Sequence, residues 1–344
     1  MRTRAIALAA VALLLPAADF VACIVLQHRM ADEYGNWAKT LASQGWSIHA
    51  DSFEQDGFPT GATVTIKGFS VSGGHAMLPG GLDWHADRLV MSLGLLHFWR
   101  LTVAPQGEQI LRIAGAKPVV FAADSLFATV PLGRGRADNV AIEADGLTAG
   151  LLQSRQKQDV RIDHLSLALT ANRHVAARIT AQADIEATGI ELPDKGRWPL
   201  GAQVRSATAV IDIASPALSG IAAADQARAW HDWGGSVTVR DLGLGWGPLD
   251  VRAQARLGLD NSLQPAGEGT AMVTGWAQTV DALAAGGTIP SGMAETVKMV
   301  MGLMGRTPAN AGSALSVPFT LKDNTLSVGK IPLIRLHDVN WGSV

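Results

Sequence analysis

Three side chains in this sequence have the types and the spacing to do chemistry together: Asp83, His85 and Asp87. Alternate residues of an extended backbone share a face, so the three would project side by side. Two carboxylates and an imidazole suit several divalent ions. The residues between them, Leu82, Trp84 and Ala86, are apolar. A strand that turns those onto a core leaves the trio as its wet side, which is the simpler reading, and no metal or cofactor is expected.

Other candidates are weaker still. Asp163-His164 and His231-Asp232 are adjacent pairs, which point apart on a strand. Gly243, Gly245 and Gly247 alternate, but Pro248 follows where a phosphate cradle would open a helix, so they mark a turn. No HExxH pair, Gly-x-Ser-x-Gly elbow or Walker loop is present. With no acid, base or nucleophile beside a partner, an enzyme is not expected. What remains is apolar. Trp46, Trp84, Trp99, Trp198, Trp246 and Trp276 stand mostly at strand ends or beside glycines, filling core edges or lining an apolar site. A helix opening at Pro290-Ser291 and closing at Gly305 is apolar nearly all round and rich in methionine, whose flexible thioether accepts varied apolar ligands. Trp246, Trp276, Met293, Val297, Met301 and Met304 are therefore the candidate contacts of an apolar ligand. The helix is expected to lie as a lid across the concave face of a sheet, beside Trp276.

The elements that must position these residues are strands. From Leu249 to Leu259 every second residue is apolar, with Asp250, Arg252, Gln254, Arg256 and Gly258 between. That period of two predicts a half-buried antiparallel strand. The preceding run has Val237 and Val239, then Leu242, Leu244 and Trp246, so its phase flips at Arg240-Asp241 as a β-bulge would make it. Similar runs occur at Ala62 to Ile66, resuming after Gly68, at Leu165 to Leu169, at Ile179 to Ile185 and at Ala207 to Ile213. Leu82 to Ala86 and Leu89 to Leu93 read as two short runs, and Pro105-Gln106-Gly107 as a turn. Helices are expected at Leu218 to Trp230 and Ala277 to Ala285, besides the methionine-rich one. A closing hairpin turns through Lys322-Asp323-Asn324-Thr325, and Pro332 ends the pattern. No strict repeat period is visible. The fold class is mainly β with a few helices: a large curved antiparallel meander, following an N-terminal transmembrane helix.

Composition agrees. Apolar residues make up 48% and charged residues 17%, with 37 glycines and 15 prolines spread along the chain, as turns between many strands require. The net charge of −2 carries no basic block, so no nucleic-acid partner is expected. Cys23 is the single cysteine, so the rest of the chain has no disulfide framework. Arg2 and Arg4 precede an apolar run from Ala5 to Leu26. At helical rise it spans about 33 Å, against a hydrocarbon core of about 30 Å. Asp19 interrupts it. Residues 1–30 are thus expected to form a signal anchor, either retained, cleaved or lipidated at Cys23, and residues 31–344 a periplasmic β-rich domain held at the inner membrane.

Short motifs in a fixed order carry a resemblance. Gly57-Phe58-Pro59 follows the anchor; then come Ala229-Trp230 with Gly234-Gly235, Trp246-Gly247-Pro248-Leu249 with Leu259-Asp260, and Leu326-Ser327-Val328-Gly329 with Ile331-Pro332-Leu333. Together they resemble the domain-of-unknown-function 2125 family of membrane-anchored Gram-negative proteins, over most of the chain. The closing hairpin is similar, more loosely, to those of AsmA-like envelope proteins. The first resemblance implies an envelope location but no reaction. The expected function is binding or moving a lipid or other amphiphile along an apolar sheet face. The alternative is an envelope scaffold that recruits other envelope proteins and takes no small ligand.

Overall fold

The structure, a computed structural model, describes residues 34–341 except 44, 57–60, 75–80, 95–98, 114, 133–137, 152–158, 174–177, 194–195, 217–222, 305–313 and 330. The expected anchor at 1–30 and the Gly57-Phe58-Pro59 turn lie outside the described residues. Among those described, no helix is long and apolar enough to cross a membrane.

The described residues form one antiparallel sheet of 17 strands. Its first position is a split edge strand: β1 (Ser47–His49) and β2 (Ser52–Asp56) pair with opposite halves of β3 (Gly61–Gly73). β4 (Leu82–Gly94) and β5 (Arg100–Ile113) follow. The next position is split again, between β6 (Val119–Ala122) and β7 (Ser125–Pro131). Both pair with β5 on one side and with β8 (Asp138–Leu151) on the other. Then β9 (Val160–Arg173), β10 (Arg178–Glu191), β11 (Gln203–Pro216), β12 (Ser236–Trp246) and β13 (Leu249–Leu259) each pair with their chain neighbour. β14 (Pro265–Thr274), β15 (Leu315–Lys322), β16 (Thr325–Val328) and β17 (Ile331–Arg335) complete the meander. The expected meander is what forms.

Three details differ from the sequence reading. Leu82 to Leu93 is one strand, because a bulge between Ala86 and Arg88 shifts its register against β5 and resets its phase. Pro105-Gln106-Gly107 is not a turn; β5 runs through it, with Gly107 at φ 82 in the ladder's irregular step. Pro332 does not end the pattern but lies inside β17, which pairs through β16 alone, where a missing N–H can face away from the ladder. The bulge at Arg240-Asp241 and the two-residue turn at Asp323-Asn324, with φ of 50 and 56, are as expected.

The interruptions of β1 through β11 fall in one row. Asp51 sits in the break between β1 and β2, and its carboxylate lies over Gly68 of β3; Asp87 of β4 lies over Gly107 of β5. Asp124, between β6 and β7, lies over Gly146 of β8, and Asp163 of β9 lies over Gly189 of β10. These four glycines have φ of 59, 82, 61 and 62. The backbone bonding repeats too: Asp51 N–H donates to the Lys67 carbonyl at 2.9 Å, and Asp124 N–H to that of Asp145 at 3.0 Å. A left-handed residue with a carboxylate over it leaves no room for a Cβ, so only glycine fits. Four successive hairpins thus share an Asp-over-Gly device, in which Gly68, Gly107 and Gly146 stand 39 residues apart and Gly189 lies 43 further on.

A helix at 34–43, α1, precedes the sheet. α2 (Ala223–Asp232) joins β11 to β12 and touches β11 and β13, with Trp230 Nε1 donating to the Ala214 carbonyl at 3.1 Å. α3 (Trp276–Ala285) packs on β13, buries Trp276, Thr279 and Val280, and starts at Gly275, whose backbone meets the Pro248 carbonyl. α4 (Ser291–Met304) packs on α3, tied by Lys298 to Asp281 at 2.9 Å and within the helix to Glu295 at 2.8 Å. The deepest packing lies at the start of the sheet. Ala62, Val64, Ile66 and Phe69 of β3 meet Leu89, Met91 and Leu93 of β4, with Tyr34 of α1 packed against them. Burial raises the Tyr34 phenol above its ordinary pKa.

Candidate functional site

Because strands β3, β4, β8, β9, β10 and β11 all change phase in the same row, the sheet keeps one apolar face from end to end. In each, the apolar positions step by three across the interruption: Ile66 to Phe69, Ala86 to Leu89, Ala144 to Leu147, Ile162 to Leu165, Ala187 to Ile190 and Val204 to Ala207. Directly paired residues share a face, so the registers trace rows across the strands. One row passes through Val64, Met91, Val103, Ala128, Ile142 and Leu167. It continues through Ile185, Ala209, Leu242, Ala253, Ala271 and Val317. Every member is apolar. At the usual spacing between strands the row is about 50 Å long. The matching row on the other face is mostly polar, through Glu143, Ser166, Glu186, Thr208, Gly243 and Arg252.

Cover on this apolar face is uneven. Val64 and Ile66 are 0% exposed where α1 and the first strands close over them. Farther along, Leu169 is 40% exposed, Ile213 38% and Leu242 44%. Isolated exposed leucines are ordinary, but a continuous apolar row that is partly open to solvent is not.

The expected contacts are scattered around one end of it. Trp246 shares the face with Val204 and Leu249, stands 6.3 Å from Trp198 between ring centroids, and donates Nε1–H to the Gly201 carbonyl at 2.8 Å. Trp276 is buried at the start of α3. Met293 and Met299 of α4 are 55% and 68% exposed. The side chains of Val297, Met301 and Met304 lie outside the described set. Among the described residues their helix packs on α3.

The Asp83, His85, Asp87 trio does not converge as a whole: His85 Nε2 stands 3.9 Å from Asp87 Oδ1, but Asp83 turns away. Asp83 is bonded by Arg112 Nε at 2.7 Å, and Asp87 sits over Gly107 while accepting from the Glu108 N–H at 3.2 Å. Among the described residues no three His, Cys, Asp or Glu side chains are grouped to hold a metal. The hollow beside them, about 670 Å³, is open and lined by Lys67 and Arg88 as well as Asp51 and Asp87, so its charges balance. His164 pairs not with Asp163 but across the ladder with Asp145, Nδ1 to Oδ1 at 2.8 Å. That hydrogen bond raises its pKa above 6.5, with smaller help from Glu143 and Glu186. His231 and Asp232, expected to point apart, lie at the end of a helix and bond at 2.9 Å.

One residue on the apolar face escaped the sequence reading. Gln109 of β5 faces Ala86 and Phe121, so it belongs to the apolar side, and it is 1% exposed. A polar residue in phase with Leu111 and Ile113 was the available signal.

These features define a class: a meander protein of one long sheet, with a polar face and a continuous apolar face covered unevenly, most deeply at its start. The chain belongs to the DUF2125 family of uncharacterised proteins conserved in bacteria, whose family model matches residues 24–337. No curated protein matches it, and no solved structure does.

Proposed function

We propose that this protein binds a lipid or other amphiphile along the apolar face of its sheet, in the bacterial envelope, with its N-terminal segment as the membrane anchor. The unbroken apolar row from Val64 to Val317 carries this reading, because exposing it to water is unfavourable in proportion to its area and an acyl chain would cover it. A photo-crosslinking residue at Ile185 in living cells should capture amphiphile, whereas one at Glu186, on the opposite face of the same strand, should not. Equal capture at both, or none at Ile185, would remove the basis of the reading.

A second reading has its own observation. In the edge strand β17, Ile331, Leu333 and Ile334 are 56%, 57% and 56% exposed, so both faces of an edge are apolar. An edge strand of that kind favours addition of a partner strand. In the same experiment, a probe at Leu333 that captures protein while Ile185 captures nothing favours the scaffold.

A further inference from the structure

On an apolar face, Gln109 is out of character. Its side chain is 1% exposed and its Oε1 has no hydrogen-bond partner. Ala86 pairs with Gln109 and Trp84 pairs with Leu111, so Trp84 lies one diagonal step away on the same face. The Trp84 Nε1–H is also buried without an acceptor. The contrast with other tryptophans is direct. Trp198 and Trp246 each donate to a backbone carbonyl at 2.8 Å, Trp230 at 3.1 Å and Trp341 at 2.8 Å.

Native interiors rarely leave one such group unmet, and here an acceptor and a donor one diagonal step apart both stand unmet. An apolar side chain of similar shape at position 109 would hold the sheet as well or better, because removing an unmet polar group removes its desolvation cost. Folding alone therefore does not account for Gln109. Phe121 and Leu111, each half-buried, pair with Gln109 and Trp84 and offer an apolar bed beside them.

We infer that Gln109 and Trp84 form a head-group subsite on this face, for an amphiphile that joins an ester carbonyl to a nearby hydroxyl, as acylglycerols do. The ligand hydroxyl donates to Gln109 Oε1, and Trp84 Nε1–H donates to the ester carbonyl. The acyl chain leaves over Phe121 and Leu111. This subsite rests on the amphiphile reading above and adds its chemical preference.

The test uses the full chain held in amphipol, with a fluorescent fatty acid displaced by 1-monooleoylglycerol or by methyl oleate. The two share a chain and a carbonyl, but only the first has hydroxyls. The wild type should prefer monooleoylglycerol about tenfold, the size of one well-made hydrogen bond in an apolar site. Gln109→Leu should erase that preference and melt no lower than wild type. Trp84→Phe should weaken both esters alike. If Gln109→Leu does not fold, Gln109→Met reads the same ratio. Equal wild-type affinities, or a ratio that survives at position 109, would overturn the subsite and leave a buried water as the partner of the pair. A wild type that is displaced by neither ester brings down the amphiphile reading itself, and the subsite with it.

Discussion

At the scale of single residues, the His164–Asp145 pair is the clearest titrating contact. Both side chains lie on the polar face and bridge β8 to β9 at 2.8 Å. Because the folded pKa of His164 is raised above 6.5, its pairing stabilises the protein fully below that value and is lost as pH rises through the folded pKa. An NMR titration of the His164 ring should therefore show a midpoint above 6.5, and Asp145→Asn should bring it back toward the ordinary range. A midpoint at or below 6.5 in the wild type would mean the pair does not form in solution. The pair is solvated, so this is a statement about local charge and not about the survival of the fold. Sequence reading missed it for a plain reason: nothing in a linear chain says which strand residue will face His164.

At the scale of elements, the Asp-over-Gly row decides how strands keep their faces. Gly146 has φ 61 with the Asp124 carboxylate directly above it. Gly146→Ala should cost about 1–3 kcal/mol from the left-handed backbone alone, and more from the collision. The urea midpoint of the variant measures this. Adding Asp124→Gly should recover the collision part and leave the backbone part. Gly292→Ala is the control, since a Cβ there meets nothing within 4 Å in helix α4, and it should be neutral or stabilise by up to about 1 kcal/mol. Equal losses at the two positions would show that the row is not special. The step of three between Ile66 and Phe69, or between Ala187 and Ile190, is visible in the sequence. That the steps line up across strands is not, because alignment depends on register between segments far apart in the chain.

At the scale of the whole molecule, packing is polarised. The fully buried side chains Val64, Ile66 and Phe69 gather on β3, with Leu89 beside them on β4, whereas all five residues of β17 are exposed. Backbone amides open at a free energy set by local packing, so hydrogen exchange should be slowest in peptides from Gly61–Gly73 and Leu82–Gly94 and fastest in Ile331–Arg335. A uniform exchange rate along the sheet would contradict the uneven cover and weaken the case for an open apolar face.

By itself the sequence determined the antiparallel meander, many of its strands and the helices α3 and α4, because periods of two and 3.6 are local, but it passed over β6, β7, β8 and β14 and stopped short of β17. It also carried the family, through short motifs in a fixed order. Three matters were left to the tertiary structure. The bulges fall into a single row, so that twelve apolar residues from Val64 to Val317 become one surface. Asp83 parts to Arg112 while His85 stays 3.9 Å from Asp87, and His164 finds Asp145. Gln109 falls on the apolar side, one diagonal step from Trp84. Period sets which face of its own strand a residue occupies, but register and cover are set by pairing between distant segments, and those are properties of the folded sheet alone.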